Sequence, residues 1–182
     1  MHLIAVPDIF GKTEEFERLI SRVSTRFEHV ELLDPYSGKS PFFANEQDAY
    51  LYFQKHVGLE KYAEIVLDSV LYREEEFLLL GFSVGASAIW QISGDNIFHE
   101  NSKAMCFYGS QIRFFLDIQP ALTMKLFFPL KETTFNVSEL MAKVSARDNV
   151  KCFHTWFFHG FMNERSMNFD TIGCAEYIKK IK

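Results

Sequence analysis

The sequence predicts a three-layer α/β/α sandwich in which a mostly parallel sheet of about six strands forms the middle layer. Short apolar runs alternate with amphipathic segments along the chain, as expected when strands alternate with helices. The runs are apolar at successive positions, which is typical of strands covered on both faces of a parallel sheet. A length of 182 residues, with no internal repeat and no linker, suits a single domain over residues 1–182.

The first half of the chain supplies three of these strands. Apolar runs predict strands over residues 2–7, 29–35 and 76–82. A helix is predicted over 12–27, because its apolar residues share one face and Thr13 is a suitable N-cap. Helical stretches are also predicted across about 46–72, with an interruption near the sequence HVGLEK.

The second half continues the same alternation. A helix is predicted to begin at Val84, and two more are predicted over 136–146 and 170–181. Apolar runs predict three further strands over 103–109, 124–130 and 150–158. Ligands of such sheets bind at the carboxyl ends of the strands, so functional residues are expected directly after strands.

Composition narrows the classes of function. The net charge of −5 gives no electrostatic case for binding nucleic acid or an acidic membrane surface, and no apolar run approaches the length of a membrane span. The N-terminus lacks the basic region and cleavage site of a signal peptide. The three cysteines are widely spaced and show no metal-binding pattern, so we expect reduced thiols, a cytoplasmic location, and neither a metal nor another cofactor.

The sequence GFSVG at residues 81–85 fits the pattern G-x-S-x-G. Ser83 in this segment directly follows a predicted strand and precedes a predicted helix, which is the context of a nucleophile elbow. The glycines and the alanines that follow keep such a sharp turn uncrowded, and free N–H groups at the start of the helix can stabilise an oxyanion. The alternative is a turn that is kept small only for packing.

A nucleophilic serine needs a base, which is most often a histidine. His159 follows the last predicted strand, and Gly160 beside it allows a tight turn. His154 is the alternative, but it lies inside the predicted strand, where a structural role is favoured. His159 is therefore the predicted base for Ser83.

An acidic residue must orient that histidine, and on this kind of sheet it follows a strand between the serine and the histidine. Glu132 comes just after the strand predicted over 124–130. Asp148 follows a helix and is expected at the opposite end of the sheet, while Asp117 belongs to the loop after an earlier strand. The sequence thus predicts a triad of Ser83, Glu132 and His159.

Several motifs resemble those of the dienelactone hydrolase branch of the α/β-hydrolase superfamily, over nearly the whole chain. The matching segments are VPDIFG (6–11), LLDPYSG (32–38), GFSVGAS (81–87), CFYGS (106–110) and HGFMN (159–163). The resemblance implies a minimal α/β-hydrolase fold and hydrolysis of a small carboxylic ester, lactone or thioester. It also implies that Ser83 is the nucleophile, that His159 is the base, and that Glu132 replaces the aspartate of the family.

The resemblance further implies an oxyanion hole formed by the backbone N–H groups of Ile9 and Val84. Asp8 occupies the position of an acidic residue that the family uses near its nucleophile, with a turn-forming role as the alternative. Arg113 is the one basic residue near a strand end that could bind a substrate carboxylate, with a surface role as the alternative. The aromatic residues expected to form pocket walls, or else core, are Phe10, Phe82, Phe161 and Trp156.

The chain departs from that family in three ways. It has serine where dienelactone hydrolases have cysteine, it has Glu132 where they have aspartate, and it lacks the N-terminal antiparallel strands of the superfamily. The open sheet edge beside the second strand is a candidate homodimer surface. The alternative function is a non-catalytic protein of the same fold that binds a ligand or partner. A flavodoxin-like or nucleotide-binding sheet is disfavoured because PDIFGKTEEF has no glycine-rich phosphate loop.

Overall fold

The structure is a computed structural model that describes residues 1–39 and 41–181. These residues form one sheet in the strand order β2-β1-β3-β4-β5-β6, and every neighbouring pair is parallel. The strands are β1 (His2–Val6), β2 (Val30–Leu32), β3 (Phe77–Phe82), β4 (Lys103–Phe107), β5 (Thr123–Phe128) and β6 (Val150–His154). The helices are α1 (Glu14–Ser24), α2 (Glu46–His56), α3 (Gly58–Val70), α4 (Val84–Ile92), α5 (Val137–Val144) and α6 (Thr171–Ile178).

Helices cover both faces of the sheet, as the sequence predicts. On one face, strand residues such as Ile4 and Leu79 pack against buried side chains of α2, α3, α4 and α5. On the other face, the alternate residues Leu3 and Leu78 pack against α1 and α6. Alternation of side chains along each strand explains this division, because successive residues point to opposite faces. The result is the predicted three-layer α/β/α sandwich.

Side-chain caps fix where several helices begin. The hydroxyl of Thr13 accepts a hydrogen bond from the backbone N–H of Phe16 at 3.2 Å, so the predicted N-cap of α1 is confirmed. The predicted interruption in the second helical region is also confirmed: α2 ends at His56, and α3 begins at Gly58, where φ is +74°. Only glycine adopts this backbone conformation freely, which explains the break at this position.

The strands are shorter than or shifted from their predicted bounds, most of all β2, which spans Val30–Leu32 where 29–35 is predicted, and β6. The apolar run 150–158 predicts a long strand, but β6 ends at His154. Thr155 is buried, and its hydroxyl accepts a hydrogen bond from the N–H of Phe157 at 3.4 Å, so the chain turns there instead of extending. The turn matters because it brings the following residues over the carboxyl edge of the sheet.

The carboxyl ends of the central strands lie side by side. Val6 of β1 pairs with Gly81 of β3, and Phe82 of β3 pairs with Phe107 of β4. The chain passes from β1 to β2 on one side and to β3 on the other, so the strand order reverses at β1. Loops diverge at such a reversal and leave a crevice at the carboxyl edge. Among the helices described, none is long and apolar enough to cross a membrane.

Candidate active site

Ser83 lies in a sharp turn between β3 and α4. Its backbone has φ +51° and ψ −112°, a conformation that residues other than glycine rarely adopt. The surrounding structure holds it there, because its N–H donates to the carbonyl of Phe107 at 2.9 Å and its carbonyl accepts from the N–H of Ser87 at 3.0 Å. The strained turn raises the hydroxyl out of the sheet edge.

Small residues are required around this turn because other backbone segments approach it closely. A Cβ atom at Gly85 would lie 2.4 Å from the carbonyl oxygens of both Val6 and Pro7 in the chain after β1. A Cβ atom at Gly81 would lie 2.5 Å from the Ile89 side chain and 2.8 Å from the backbone of Ala86. All of these distances are shorter than van der Waals contact, so neither glycine of the motif can carry a side chain unless its neighbours move.

The side chains of Ser83, His159 and Glu132 form one hydrogen-bonded chain. The Oγ atom of Ser83 is 2.9 Å from Nε2 of His159, and Nδ1 of His159 is 2.7 Å from Oε1 of Glu132. The Glu132 side chain is 14% exposed and that of His159 is 31% exposed, so the carboxylate is well shielded from water. This arrangement can move a proton from the serine hydroxyl to the imidazole while the carboxylate stabilises the resulting cation.

The turn that carries His159 is held by its own hydrogen bonds. Gly160 has φ +83°, and a Cβ atom there would lie 2.4 Å from the hydroxyl oxygen of Ser166. The carbonyl of His159 accepts a hydrogen bond from the amide of Asn168 at 2.9 Å. The aromatic ring of Tyr108 packs beside the imidazole, with 5.0 Å between the ring centroids. The imidazole is therefore restrained from several sides.

The alternatives weighed for the base and the acid lie elsewhere. His154 is exposed, and its Nε2 is 3.0 Å from the carbonyl oxygen of Leu130. Asp117 and Asp148 are also exposed, and neither lines the cavity beside Ser83. These positions fit the structural and solvated roles that the sequence offered for them.

Ile9 and Val84, whose backbone N–H groups are the predicted oxyanion hole, line a cavity together with Ser83. Neither of these two N–H groups donates a hydrogen bond to another residue within the described parts of the chain. Two buried phenols fix the loop after β1: Tyr36 donates to the carbonyl of Ile9, and Tyr62 donates to the carbonyl of Pro7 at 3.0 Å. Burial raises the pKa of both phenols, so they remain protonated donors at neutral pH.

The cavity has a volume of about 650 Å³ and opens at the carboxyl edge of the sheet. Its floor contains Ser83 and His159. Side chains of α2, which the sequence does not single out, line part of the cavity, and the short 3-10 turn Ser110–Phe114 after β4 lines another part. The wall residues that bear polar groups are Glu46, Gln47, Tyr50, Gln54, Ser110, Gln111 and Thr134.

Asp8 is a buried carboxyl group beside the cavity and is 8% exposed. Its Oδ1 accepts from the N–H of Phe10 at 3.0 Å, and its Oδ2 accepts from the amide of Asn163 at 2.5 Å. Burial raises the pKa of this carboxyl, while the two hydrogen bonds and the nearby imidazole of His159 oppose the rise. The hydrogen bond to Phe10 is typical of a turn-forming aspartate, which is one predicted role of Asp8. The residue also lines the cavity beside Ser83, as its other predicted role requires.

Arg113 lines the cavity in the 3-10 turn. Its guanidinium donates to the carbonyl of Ser110 at 2.5 Å and lies over two aromatic rings, 4.1 Å from the centroid of Phe114 and 4.8 Å from that of Phe135. These contacts orient the group without neutralising its charge.

The aromatic residues predicted as pocket walls lie in three different environments. Phe10 lines the cavity. Phe82 and Phe161 do not, and the prediction for them is corrected: they are 2% and 0% exposed and belong to the core between the sheet and helices α1 and α6. Trp156 is 82% exposed and lies outside the cavity as well. Phe82 follows Leu78 and Leu80 at two-residue spacing, which places its ring on the face away from the cavity wall of α2.

Comparison with known proteins identifies the fold. No family model matches the chain. One curated relative, the uncharacterized protein YczH of Bacillus subtilis (strain 168), is 34% identical over 129 residues. The match covers 69% of this chain and 62% of that relative, so the chain spans less than two thirds of the relative's length.

Solved structures of α/β hydrolases superpose on nearly the whole chain. A dienelactone hydrolase-like promiscuous phosphotriesterase from metagenomic libraries has a TM-score of 0.68 at 10% identity, with 99% of this chain and 83% of that chain covered. The mouse α/β hydrolase domain-containing protein 10 has a TM-score of 0.67 at 10% identity, covering 99% and 87%. A lipase-esterase related protein from Clostridium acetobutylicum has a TM-score of 0.62 at 11% identity, covering 100% and 94%. At these identities the likeness shows the fold alone, and the chain has the α/β-hydrolase fold.

Proposed function

We propose that the protein is a serine hydrolase that cleaves a small carboxylic ester, lactone or thioester through a covalent acyl-enzyme. The observation that carries the proposal is the continuous hydrogen-bonded chain from Ser83 through His159 to Glu132 at the floor of an open cavity. A strained serine, a base within hydrogen-bond reach and a shielded acid together are what nucleophilic attack by a hydroxyl requires.

In the acylation step, His159 Nε2 accepts the proton of the Ser83 hydroxyl as Oγ attacks the carbonyl carbon of the substrate. The negative charge that develops on the carbonyl oxygen is stabilised by the N–H groups of Ile9 and Val84, of which the second lies at the N-terminus of α4. The tetrahedral intermediate collapses as the bond to the leaving group breaks. The imidazolium of His159 gives its proton to the leaving alcohol or thiol, which leaves an ester on Ser83.

In the deacylation step, His159 takes a proton from water as the water oxygen attacks the acyl carbon. The bond from that carbon to Ser83 Oγ then breaks, and Oγ recovers its proton from His159 as the carboxylic acid departs. Glu132 holds the Nδ1–H of the imidazole in both steps, which fixes its tautomer and stabilises the imidazolium.

Features of the cavity support a small, polar substrate. Its volume of about 650 Å³ is within the range of small-molecule sites. Hydroxyl and amide groups of α2 and of the 3-10 turn line the walls, so oxygen-bearing substituents can form hydrogen bonds there. Arg113 adds a positive charge and Glu46 a negative one to the lining, so a charged substituent on the substrate can be bound beside the residue of opposite charge.

Intact-mass labelling with a fluorophosphonate tests the proposal, because this probe reacts with an activated serine whatever the natural substrate is. Ser83 Oγ attacks phosphorus and fluoride leaves, so one adduct is expected on the wild-type protein. No adduct is expected on Ser83→Ala or on His159→Ala. Ser21→Ala, at an exposed position of α1, is the matched control and should label like the wild type.

Absence of an adduct on the folded wild-type protein would contradict the proposal. That result would favour a non-catalytic protein that binds a ligand in the same cavity. An adduct that persists in Ser83→Ala would place the reactive group on another residue and would also contradict it.

A further inference from the structure

A hydrogen bond joins the two loops that carry the proposed catalytic groups. Asn163 lies in the turn after His159, and Asp8 lies in the loop after β1. The amide of Asn163 donates to Oδ2 of Asp8 at 2.5 Å, across 155 positions of the chain. The acceptor is nearly excluded from water, since Asp8 is 8% exposed.

Each partner also holds its own loop. The other oxygen of Asp8 accepts from the N–H of Phe10 at 3.0 Å, and its carbonyl accepts from the N–H of Gly11 at 3.0 Å. These bonds shape the turn that contains Ile9.

On the opposite side, the N–H of Asn163 donates to the carbonyl of Gly160 at 2.8 Å. The side-chain oxygen of Asn163 accepts from the N–H of Arg165 at 2.8 Å. Asn163 is thus bonded through its backbone and both ends of its amide, and only the NH₂ group crosses to the other loop.

We propose that Asn163 is a positioning residue, whose hydrogen bond to Asp8 sets the placement of the Ile9 N–H relative to Ser83 and His159. The inference depends on the proposed serine-hydrolase function. The oxyanion donor and the base belong to loops after β1 and β6, which are separated in the sheet by three other strands. A direct side-chain bond between the loops fixes a distance that the sheet alone does not fix, and a shift of about 1 Å in an active site can cost on the order of 100-fold in rate.

The donor and the acceptor of the hydrogen bond between Asn163 and Asp8 are defined. The carboxylate of Asp8 accepts two donors, one from Asn163 and one from Phe10. The charged or titratable groups near it on the surrounding elements are His159, Glu46, Glu15, Tyr36, Tyr62 and Tyr108. Replacing Asp8 by Asn presents an NH₂ group to one of the two donors. Replacing Asn163 by Asp places a second carboxyl opposite the first.

Because the donor and the acceptor are defined, exchanging the two residue types between positions 8 and 163 can restore the hydrogen bond. In the double variant Asp8→Asn with Asn163→Asp, the new amide at 8 can accept from Phe10 and donate to the new carboxylate at 163. The net charge and the number of hydrogen bonds are those of the wild-type protein. A double-mutant cycle then separates the hydrogen bond from other effects of either residue.

The experiment measures kcat and KM for hydrolysis of p-nitrophenyl acetate, and the rate of fluorophosphonate labelling, for the wild type, both single variants, the exchange variant and Asn163→Leu. We expect kcat to fall about 10- to 100-fold in each of the three single variants, with KM changed much less. We expect the exchange variant to recover to within about threefold of the wild type. Thermal unfolding of every variant identifies any that fail to fold. If Asn163→Asp is among them, Asn163→Leu still removes the hydrogen bond to Asp8 and tests the inference.

A pH series adds a readout that a merely structural role would not produce. In Asn163→Asp, the two facing carboxyl groups can share one proton at low pH and must repel each other once both are ionised. The deficit in kcat relative to the wild type is therefore expected to be larger at pH 8 than at pH 5. Both proteins keep His159 and Glu132, so the comparison varies only the group at position 163.

Two outcomes would overturn the inference alone. One is a wild-type protein that labels normally while the single variants match it in kcat. The other is an exchange variant that folds but is no better than the single variants. A wild-type protein that neither labels nor hydrolyses ester would instead refute the proposed function, and the inference with it.

Discussion

The imidazole of His159 lies 2.9 Å from the hydroxyl oxygen of Ser83, although the two residues are 76 positions apart in the chain. The proximity depends on two turns that follow parallel strands at the same edge of the sheet. Each turn contains a residue with positive φ, which is Ser83 itself in one and Gly160 in the other. The strain at Ser83 is offset by the packing of α4 against the strands, since a residue in such a conformation persists only when its surroundings hold it.

Glu132 is expected to contribute to kcat through the charge and tautomer of His159. Glu132→Gln keeps the size of the side chain but removes the charge opposite Nδ1, so kcat for p-nitrophenyl acetate should fall by about 10³- to 10⁴-fold. Glu132→Asp keeps the charge and withdraws it by one methylene, which should cost about 10- to 100-fold. Glu60→Gln, at an exposed position of α3, is the control and should leave kcat unchanged. Equal rates in Glu132→Gln and wild type would exclude Glu132 as the orienting acid.

Gly85 is expected to be required for stability as well as for the shape of the elbow. A Cβ atom at this position would lie 2.4 Å from two backbone carbonyl oxygens, and neither the end of β1 nor α4 can move without disturbing the core. Gly85→Ala should therefore lower the free energy of unfolding by about 1–3 kcal/mol, as overpacking does.

Gly94→Ala is the matched control for that measurement. A Cβ atom at Gly94 would have its nearest neighbours at 3.4 Å, and the residue is not in a positive-φ conformation. Its free energy of unfolding in urea should stay within about 0.5 kcal/mol of the wild type. Equal midpoints for the two alanine variants would mean that the close approach at Gly85 is relieved by a small movement.

The sequence predicts those parts of the site that depend on local patterns. Ser83 is predicted from its motif and its position after β3, and His159 and Glu132 from the strand that precedes each of them. These predictions need only the order of strands and the direction of a parallel sheet. Phe82 and Phe161 show where this information ends, because the pattern marks them as apolar and near the site but does not say which face of the sheet the cavity occupies.

Contacts between distant segments leave no local pattern. Asp8 and Asn163 are 155 positions apart, and nothing in HGFMN indicates that its asparagine would meet the loop after β1. The wall formed by α2 is similar. The spacing of Glu46, Gln47, Tyr50 and Gln54 is that of one helix face, which in a sequence is equally typical of a solvated surface. Only the packing of α2 across the crevice makes that face a cavity wall.

Ser83→Cys is expected to create a selectively reactive thiol. The new thiol would lie beside His159, and an adjacent imidazole favours the thiolate form. The native thiols are less reactive, because burial raises the pKa of Cys152 to about 11 and raises those of Cys106 and Cys174 as well. At pH 7, iodoacetamide should modify position 83 at least about tenfold faster than any native cysteine, as peptide mapping would show.

The double variant Ser83→Cys with His159→Ala controls for exposure alone. It keeps the new thiol at the cavity floor but removes the imidazole, so its alkylation should slow to the rate of an ordinary exposed cysteine. Alkylation at the same rate in both variants would show that accessibility, and not the histidine, governs the reactivity of position 83.

Ionisation of Asp8 is expected to lower the free energy of unfolding as the pH rises. An ion-paired carboxylate would have the opposite effect. Burial raises the pKa of Asp8 above its ordinary value of 3.8, so the folded protein holds this proton more tightly than the unfolded chain does. Its contribution to stability is fully present below pH 3.8 and is lost as the pH rises through the folded-state pKa. Within that window the slope of the unfolding free energy against pH is negative, and for one proton its size cannot exceed about 1.4 kcal/mol per pH unit.

Urea unfolding of the wild type and Asp8→Asn across pH 3.5 to 8 isolates this contribution, because the two proteins differ only in the group at position 8. The wild-type protein should lose stability relative to Asp8→Asn as the pH rises from about 4, and the difference should level off once Asp8 is ionised in the folded state. The lost hydrogen bond in Asp8→Asn shifts the whole difference curve without changing its slope. A difference that is flat, or that grows in favour of the wild type with rising pH, would mean that the bonds from Asn163 and Phe10 outweigh burial at this carboxyl.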